Sequence, residues 1–180
     1  FPNVDSLPYV FLGPLVGALS RAGTGWLADR YGGGRISLLV FVCMIGSAAG
    51  TLWFLRAGSF PGFFVMIMAL FFFSGVGNAS TFQMIPAIWR ETVGRNGDSG
   101  QADREAAAVI GFTSAIAAFG AFFIPKAYGA SIAATGAADA ALWGFMLFYL
   151  SCALVTFFVY VRPGGLLHAI ESGKTLTPQA

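Results

Sequence analysis

The chain has 180 residues, of which 57% are hydrophobic and only 10% charged, with a formal net charge of +2. Soluble domains carry about 25% charge, so this composition excludes an ordinary water-soluble fold and points to an integral membrane protein. A charge balance this close to zero gives no reason to expect nucleic acid as a partner, and a mean hydropathy of +0.74 makes the lipid bilayer the expected surroundings.

A membrane-spanning helix needs about 20 consecutive, mostly apolar residues. Five segments qualify in chain order: 7–28, 36–55, 61–89, 106–125 and 142–161. All are expected to be helices, because a lone segment in lipid must satisfy its own backbone hydrogen bonds. Long continuous apolar runs argue against a β-barrel, whose strands show about ten residues of alternation. The 24 glycines suit helices whose backbones approach closely. Residues 1–165 read as one bundle and 166–180 as a polar tail, with no room left for a separate soluble domain.

The expected connections are 28–35, 55–62, 90–105 and 126–141. Lys and Arg accumulate in cytoplasmic loops. One side holds Arg30, Arg35, Arg90, Arg95, Arg104, Arg162 and Lys174, and the other holds Arg56 and Lys126. The first side is therefore expected to be cytoplasmic, with the C-terminus inside. The start, FPNVDSLPYV, shows neither an initiator Met nor the basic region of a signal peptide. The chain reads as the downstream part of a longer polypeptide.

Catalytic and metal chemistry find little to work with. Cys43 and Cys152 lie inside apolar runs and read as small buried hydrophobes. His168, the lone histidine, falls in the tail, so no metal site is expected. The sequence GGGR has neither the spacing nor the lysine of a phosphate-binding loop. Neither an enzyme activity nor a cofactor is expected.

One charge interrupts the first span. Arg21 lies seven residues before Ala28, roughly 10 Å along a helix at about 1.5 Å per residue. The hydrocarbon half-thickness is roughly 15 Å, which places Arg21 nearer the middle than the edge. An arginine there costs at least about 2.5–3.5 kcal/mol on insertion scales. It can snorkel toward the cytoplasmic face, or its planar fork can hold a flat oxyanion. No acidic residue lies in any of the five spans to neutralise it. Gly13, Gly17, Arg21 and Gly25 share a helix face, which either packs closely on a neighbour or leaves room for a substrate.

The third span carries the polar cluster GVGNASTFQMIP, residues 75–86. Ser74, Asn78, Thr81 or Phe82, and Ile85 fall on one face. The Asn78 amide must find a partner helix, water or substrate. Either it ties helices together or it lines a cavity. Pro86 is expected to bend or end the helix. In the fourth span, Gly111, Ser114 or Ala115, and Ala118 form a small, partly polar stripe.

Together these stretches resemble one family. GWLADRYGGGR, residues 25–35, is similar to the short cytoplasmic loop signature of major facilitator transporters, carried by Gly25, Leu27, Asp29, Arg30, Gly32 and Arg35. Arg35 comes one residue later than the usual spacing. With GVGNASTFQMIP and GFTSAIAAFGAFFIP, the resemblance narrows to the C-terminal half of the nitrate/nitrite porters of that superfamily, and it covers nearly the whole chain. It implies an all-α major facilitator fold: a C-terminal six-helix bundle lacking most of its first helix. It also implies a position in the cell inner (cytoplasmic) membrane and a partner in the N-terminal half of the same transporter. Arg21 would bind nitrate or nitrite, with Asn78, Gly111 and Ser114 along the path and Phe82 as a gate. Gly25, Asp29, Arg30, Gly32 and Arg35 would form the conformational loop motif, in which Asp29 and Arg30 would brace the cytoplasmic side of the closed state. The implied activity is alternating-access exchange of nitrate for nitrite, with proton-coupled nitrate uptake or transport of another small anion as alternatives.

Overall fold

The computed structural model describes residues 7–92 and 99–163. A short 3-10 turn, Leu7–Tyr9, precedes five helices: α1 Leu12–Tyr31, α2 Gly33–Arg56, α3 Phe60–Thr92, α4 Ser99–Thr135 and α5 Asp139–Thr156. A π-helical turn, Phe157–Val161, extends α5. Among the described residues, four helical stretches are long and apolar enough to cross a membrane: Gly33–Arg56, Phe60–Arg90, Gly100–Thr135 and Asp139–Val161. The helix α1 is long enough at 20 residues but is diluted by Arg21, Asp29, Arg30 and its glycines. The expected tail, 166–180, lies outside the described residues.

The helix ends show how the sequence sets the turns. Pro14 sits in the first turn of α1, where its missing N–H costs nothing because the first four N–H groups have no partner within the helix. Only Gly32 separates α1 from α2, with φ 88, a value that L side chains rarely adopt. Its N–H still closes on the Ala28 carbonyl at 3.0 Å. The expected connection at 28–35 is therefore helical except at one residue.

The expected connection at 126–141 is corrected more strongly. The α4 helix runs through Pro125 and Lys126 to Thr135. Its 37 residues span about 55 Å at 1.5 Å each, far beyond a hydrocarbon core of about 30 Å. Its end is tied to the next helix: Ser131 Oγ donates to the Ala137 carbonyl at 2.7 Å and accepts from the Ala141 N–H at 3.3 Å. Gly136, at φ 73, makes the turn between them. In the 90–105 stretch, α3 continues to Thr92 and α4 begins at Ser99.

The α3 helix is the hub. It packs on α1 along one side and on α2 along another; α2 in turn carries α5, and α4 leans more lightly on α3 and α5. Two buried clusters fill the bundle. Ile36, Val40, Met44 and Val76 form one, and Ala48, Leu52, Leu142 and Met146 the other. Lipid tails are as apolar as leucine, so van der Waals fit rather than the hydrophobic effect holds such helices together. This explains why glycines and serines occupy the closest crossings and why many phenylalanines face outward.

Candidate functional site

The site begins where α1 crosses α3. A methyl group added at Gly75 would overlap the Ser20 hydroxyl and the Gly17 carbonyl oxygen, and would lie 3.1 Å from the Arg21 backbone nitrogen. Gly13 faces the Phe71 ring, and Gly25 faces the Gln83 amide, 2.8 Å from where its Cβ would sit. Of the two roles open to this glycine face, the structure shows close packing. Arg21 lies at the edge of that contact. It is exposed, and its guanidinium carbon stands 4.9 Å from the centroid of the Phe82 ring. Such cation–π contacts contribute about 0.5–1 kcal/mol at exposed sites and more where water is excluded. Among the described residues, no carboxylate pairs with Arg21; the pairs Arg56–Asp139 and Arg90–Asp103 lie at helix ends.

The polar cluster of α3 divides between two faces. Ser80 turns inward and meets Ser37 of α2, Oγ to Oγ at 2.9 Å, with both side chains buried. Gln83 turns toward α1, and its Oε1 is buried with no hydrogen-bond partner among the described residues. Ser74, Asn78 and Thr81 are exposed. The Thr81 hydroxyl returns to the Gly77 carbonyl at 2.9 Å, whereas the Asn78 amide has no partner among the described residues. Helix glue is therefore the work of Ser80 and Ser37, and Asn78 faces the open side. Pro86 lies inside α3 and does not end it.

Helix register relates these groups by depth. The α1 and α3 helices run parallel, matched by Gly13 with Phe71 and Gly25 with Gln83, so Arg21 lies level with Asn78 and Ala79. The α3 and α4 helices run antiparallel, matched by Trp89 Nε1 donating to Glu105 Oε2 at 3.1 Å. Counting inward at about 1.5 Å per residue brings Ser114 to within a turn of that same level. Gly111 and Ser114 are both exposed, and a methyl at Gly111 would meet nothing within 4 Å. The Ser114 hydroxyl bonds the Ile110 carbonyl of its own helix at 2.7 Å. Of the residues singled out in the sequence, the fold brings Arg21 and Phe82 into contact and sets Asn78 and Ser114 at their depth on the open side. It makes no direct bond from Arg21 to Asn78 or Ser114.

The motif at 25–35 is distributed over two helices. Gly25 packs on Gln83, Arg30 lies in the last turn of α1 with its guanidinium carbon 5.6 Å from the Tyr31 ring centroid, and Arg35 lies in the first turn of α2. The Asp29 side chain lies outside the described set. One charged group sits differently from its place in the sequence reading. Lys126 appears as a connection residue in the sequence, yet it is an internal residue of α4. The signal was the apolar stretch GASIAA that follows it, which continues the helix past the proline. Behind α4, a cavity of about 400 Å³ opens between α2, α3, α4 and α5, lined in part by Ser74, Tyr128 and Tyr149.

Comparison with known proteins identifies this arrangement. No family model matches the chain. It is 46% identical over 176 residues to the nitrate/nitrite transporter NarU of Salmonella typhimurium, covering 90% of this chain and 38% of that protein. It is 42% identical to the NarU of Escherichia coli over the same shares. The probable nitrate/nitrite antiporter NarK2 of Thermus thermophilus is 37% identical over 89% of this chain and 34% of its own length. Over about 90% of its length the chain is similar to part of proteins named as nitrate/nitrite transporters. It spans well under half the length of the relatives it matches. It is a multi-pass, all-α membrane protein, and the relatives are named as transporters rather than enzymes.

Proposed function

We propose that this chain is the C-terminal bundle of a transporter that exchanges nitrate for nitrite across the cytoplasmic membrane, with its C-terminus in the cytoplasm. The observation that carries the reading is Arg21: a cation within the apolar part of the bundle, exposed on its open face, against the Phe82 ring, with no carboxylate partner among the described residues. A flat oxyanion fits the planar guanidinium fork through two parallel hydrogen bonds. Asn78 offers further donors at the same depth. The open face carrying these groups would receive the other half of the transporter, and the anion would sit between the halves.

The mechanism follows from charge. Moving an unneutralised guanidinium past closing apolar walls is costly, because a desolvated charge without a partner is strongly disfavoured. A bound anion offsets that cost, so switching between outward- and inward-facing states is favoured when the site is loaded. The apolar spans contain no Asp, Glu or His that could carry a coupling proton by ordinary side-chain chemistry. That favours exchange of one anion for another over proton-coupled uptake. Arginines set the orientation: Arg30, Arg90 and Arg162 near the ends of α1, α3 and α5, and Arg35 and Arg104 near the starts of α2 and α4, share one end, which is the cytoplasmic one by the positive-inside rule.

The test is nitrate–nitrite counterflow in proteoliposomes holding the full-length transporter, with and without Arg21→Lys. Lysine keeps the charge and loses the fork. Exchange that is present in the wild type and lost in Arg21→Lys supports the reading. Normal exchange by the variant reduces Arg21 to a packing residue and removes the reading's physical basis.

A further inference from the structure

Lys126 stands where the sequence suggests a loop and the fold supplies a helix. It lies nine residues from Thr135, the last residue of α4, which is about 13 Å at 1.5 Å per residue. The level of that helix end is fixed independently. Ser131 bonds to the start of α5, Arg56 pairs there with Asp139, and the Tyr128 ring packs against Phe145 six residues into α5. Lys126 therefore sits well below the outer ends of the helices.

A lysine at that depth is usually rescued by stretching toward the nearer surface. Lys126 points the other way. Its ammonium lies 5.5 Å from the centroid of the Phe122 ring, one turn toward the helix N-terminus and hence toward the membrane centre. Side chains on a helix lean toward its N-terminus, so the backbone direction of α4 itself aims this cation inward. It is exposed and has no carboxylate partner among the described residues. On its side of the helix Gly111, Ala115, Ala118, Phe122, Lys126 and Gly129 recur at helical spacing and all are exposed. The buried residues of α4, Ala102, Ala106 and Ser131, lie on the opposite side, toward the two ends of the helix.

We propose that Lys126 is a second anion-binding group on the transport path, an outer station that receives a small oxyanion from the non-cytoplasmic side before it reaches Arg21. The proposal rests on the transport reading given above. Lys126 is twelve residues from Ser114, about 18 Å along α4, and its inward lean shortens the gap to the Arg21 level. Two exposed cations at successive depths, with an aromatic ring beside each, form a ladder for an anion. Phe82 stands beside Arg21 and Phe122 beside Lys126. A cation in an apolar-walled cleft focuses the field and raises the local anion concentration.

The experiment is side-resolved nitrate–nitrite counterflow by the full-length transporter in proteoliposomes of known orientation, at low and high ionic strength. Lys126→Gln should raise the half-saturating nitrate concentration on the outer face about tenfold at low salt, while keeping the maximal rate. The difference should shrink at high salt, where the wild-type attraction is screened. Lys126→Arg should behave as wild type. Should Lys126→Gln fail to accumulate, Lys126→Cys treated with an aminoethylating thiol reagent must regain the low outer value, because the reagent restores the ammonium. An unchanged outer value in Lys126→Gln, a fall in maximal rate alone, or no recovery on aminoethylation overturns the proposal. Wild-type exchange with a dead Arg21→Lys and a silent Lys126→Gln would sink the outer station alone. Absence of nitrate exchange in the wild type would sink the transport reading itself.

Discussion

Gly75→Ala tests whether the α1–α3 crossing positions Arg21. The added Cβ would overlap the Gly17 carbonyl oxygen and the Ser20 hydroxyl, where ordinary contacts begin at 3.4 Å. The serine can rotate away; the carbonyl belongs to a helix and cannot. The two helices must therefore separate locally. Overpacking of this kind costs typically about 1–3 kcal/mol, and a backbone obstacle puts it at the upper end. Alanine regains up to about 1 kcal/mol of helix propensity over glycine. The net is a loss of about 2 kcal/mol, or roughly 4–8 °C in Tm for a cooperative unit of this size. The assay is thermal unfolding of the purified protein in detergent, with Gly144→Ala as the reference, since a methyl there meets nothing within 4 Å. Gly144→Ala should match or slightly exceed the wild type. Equal stability of Gly75→Ala and Gly144→Ala would refute the close crossing, and with it the account of how Arg21 is held.

Further outcomes follow from the same geometry. Gly111→Ala should leave Tm unchanged, because its Cβ has open space within the bundle, yet slow nitrate–nitrite counterflow if that face lines the path. Ser37→Ala and Ser80→Ala should each cost about 1 kcal/mol or less, with a coupling of about 0.6 kcal/mol in the double variant, as is typical of hydrogen bonds between membrane helices; additive losses would show that their 2.9 Å contact is idle. Gln83→Met should raise Tm, because it removes a buried oxygen that lacks a partner among the described residues at a cost of about 1–3 kcal/mol; a fall in Tm would mean that this oxygen is satisfied in the full-length protein. Arg56→Gln should change stability little, since the Arg56 side chain is 60% exposed and such pairs contribute about 0–1 kcal/mol.

The membrane class and the helical state of every span were written in composition and local order. Lipid leaves the backbone few choices, so a run of apolar residues decides for helix without help from distant contacts. That Arg21 has no carboxylate partner among the described residues was equally visible, because the apolar spans contain none. Tertiary structure decided which polar groups turn inward. Ser80, Gln83 and Asn78 lie within six residues, and only the positions of α1 and α2 make the first two contact groups and the third an open one. It also decided that α4 passes through Pro125. A proline normally disfavours helix at the residue before it, but the contacts of Tyr128 and Ser131 with α5 hold the helix together beyond that point. That continuation moves Lys126 from a loop into a helix, a placement that no count of loop charges could reach.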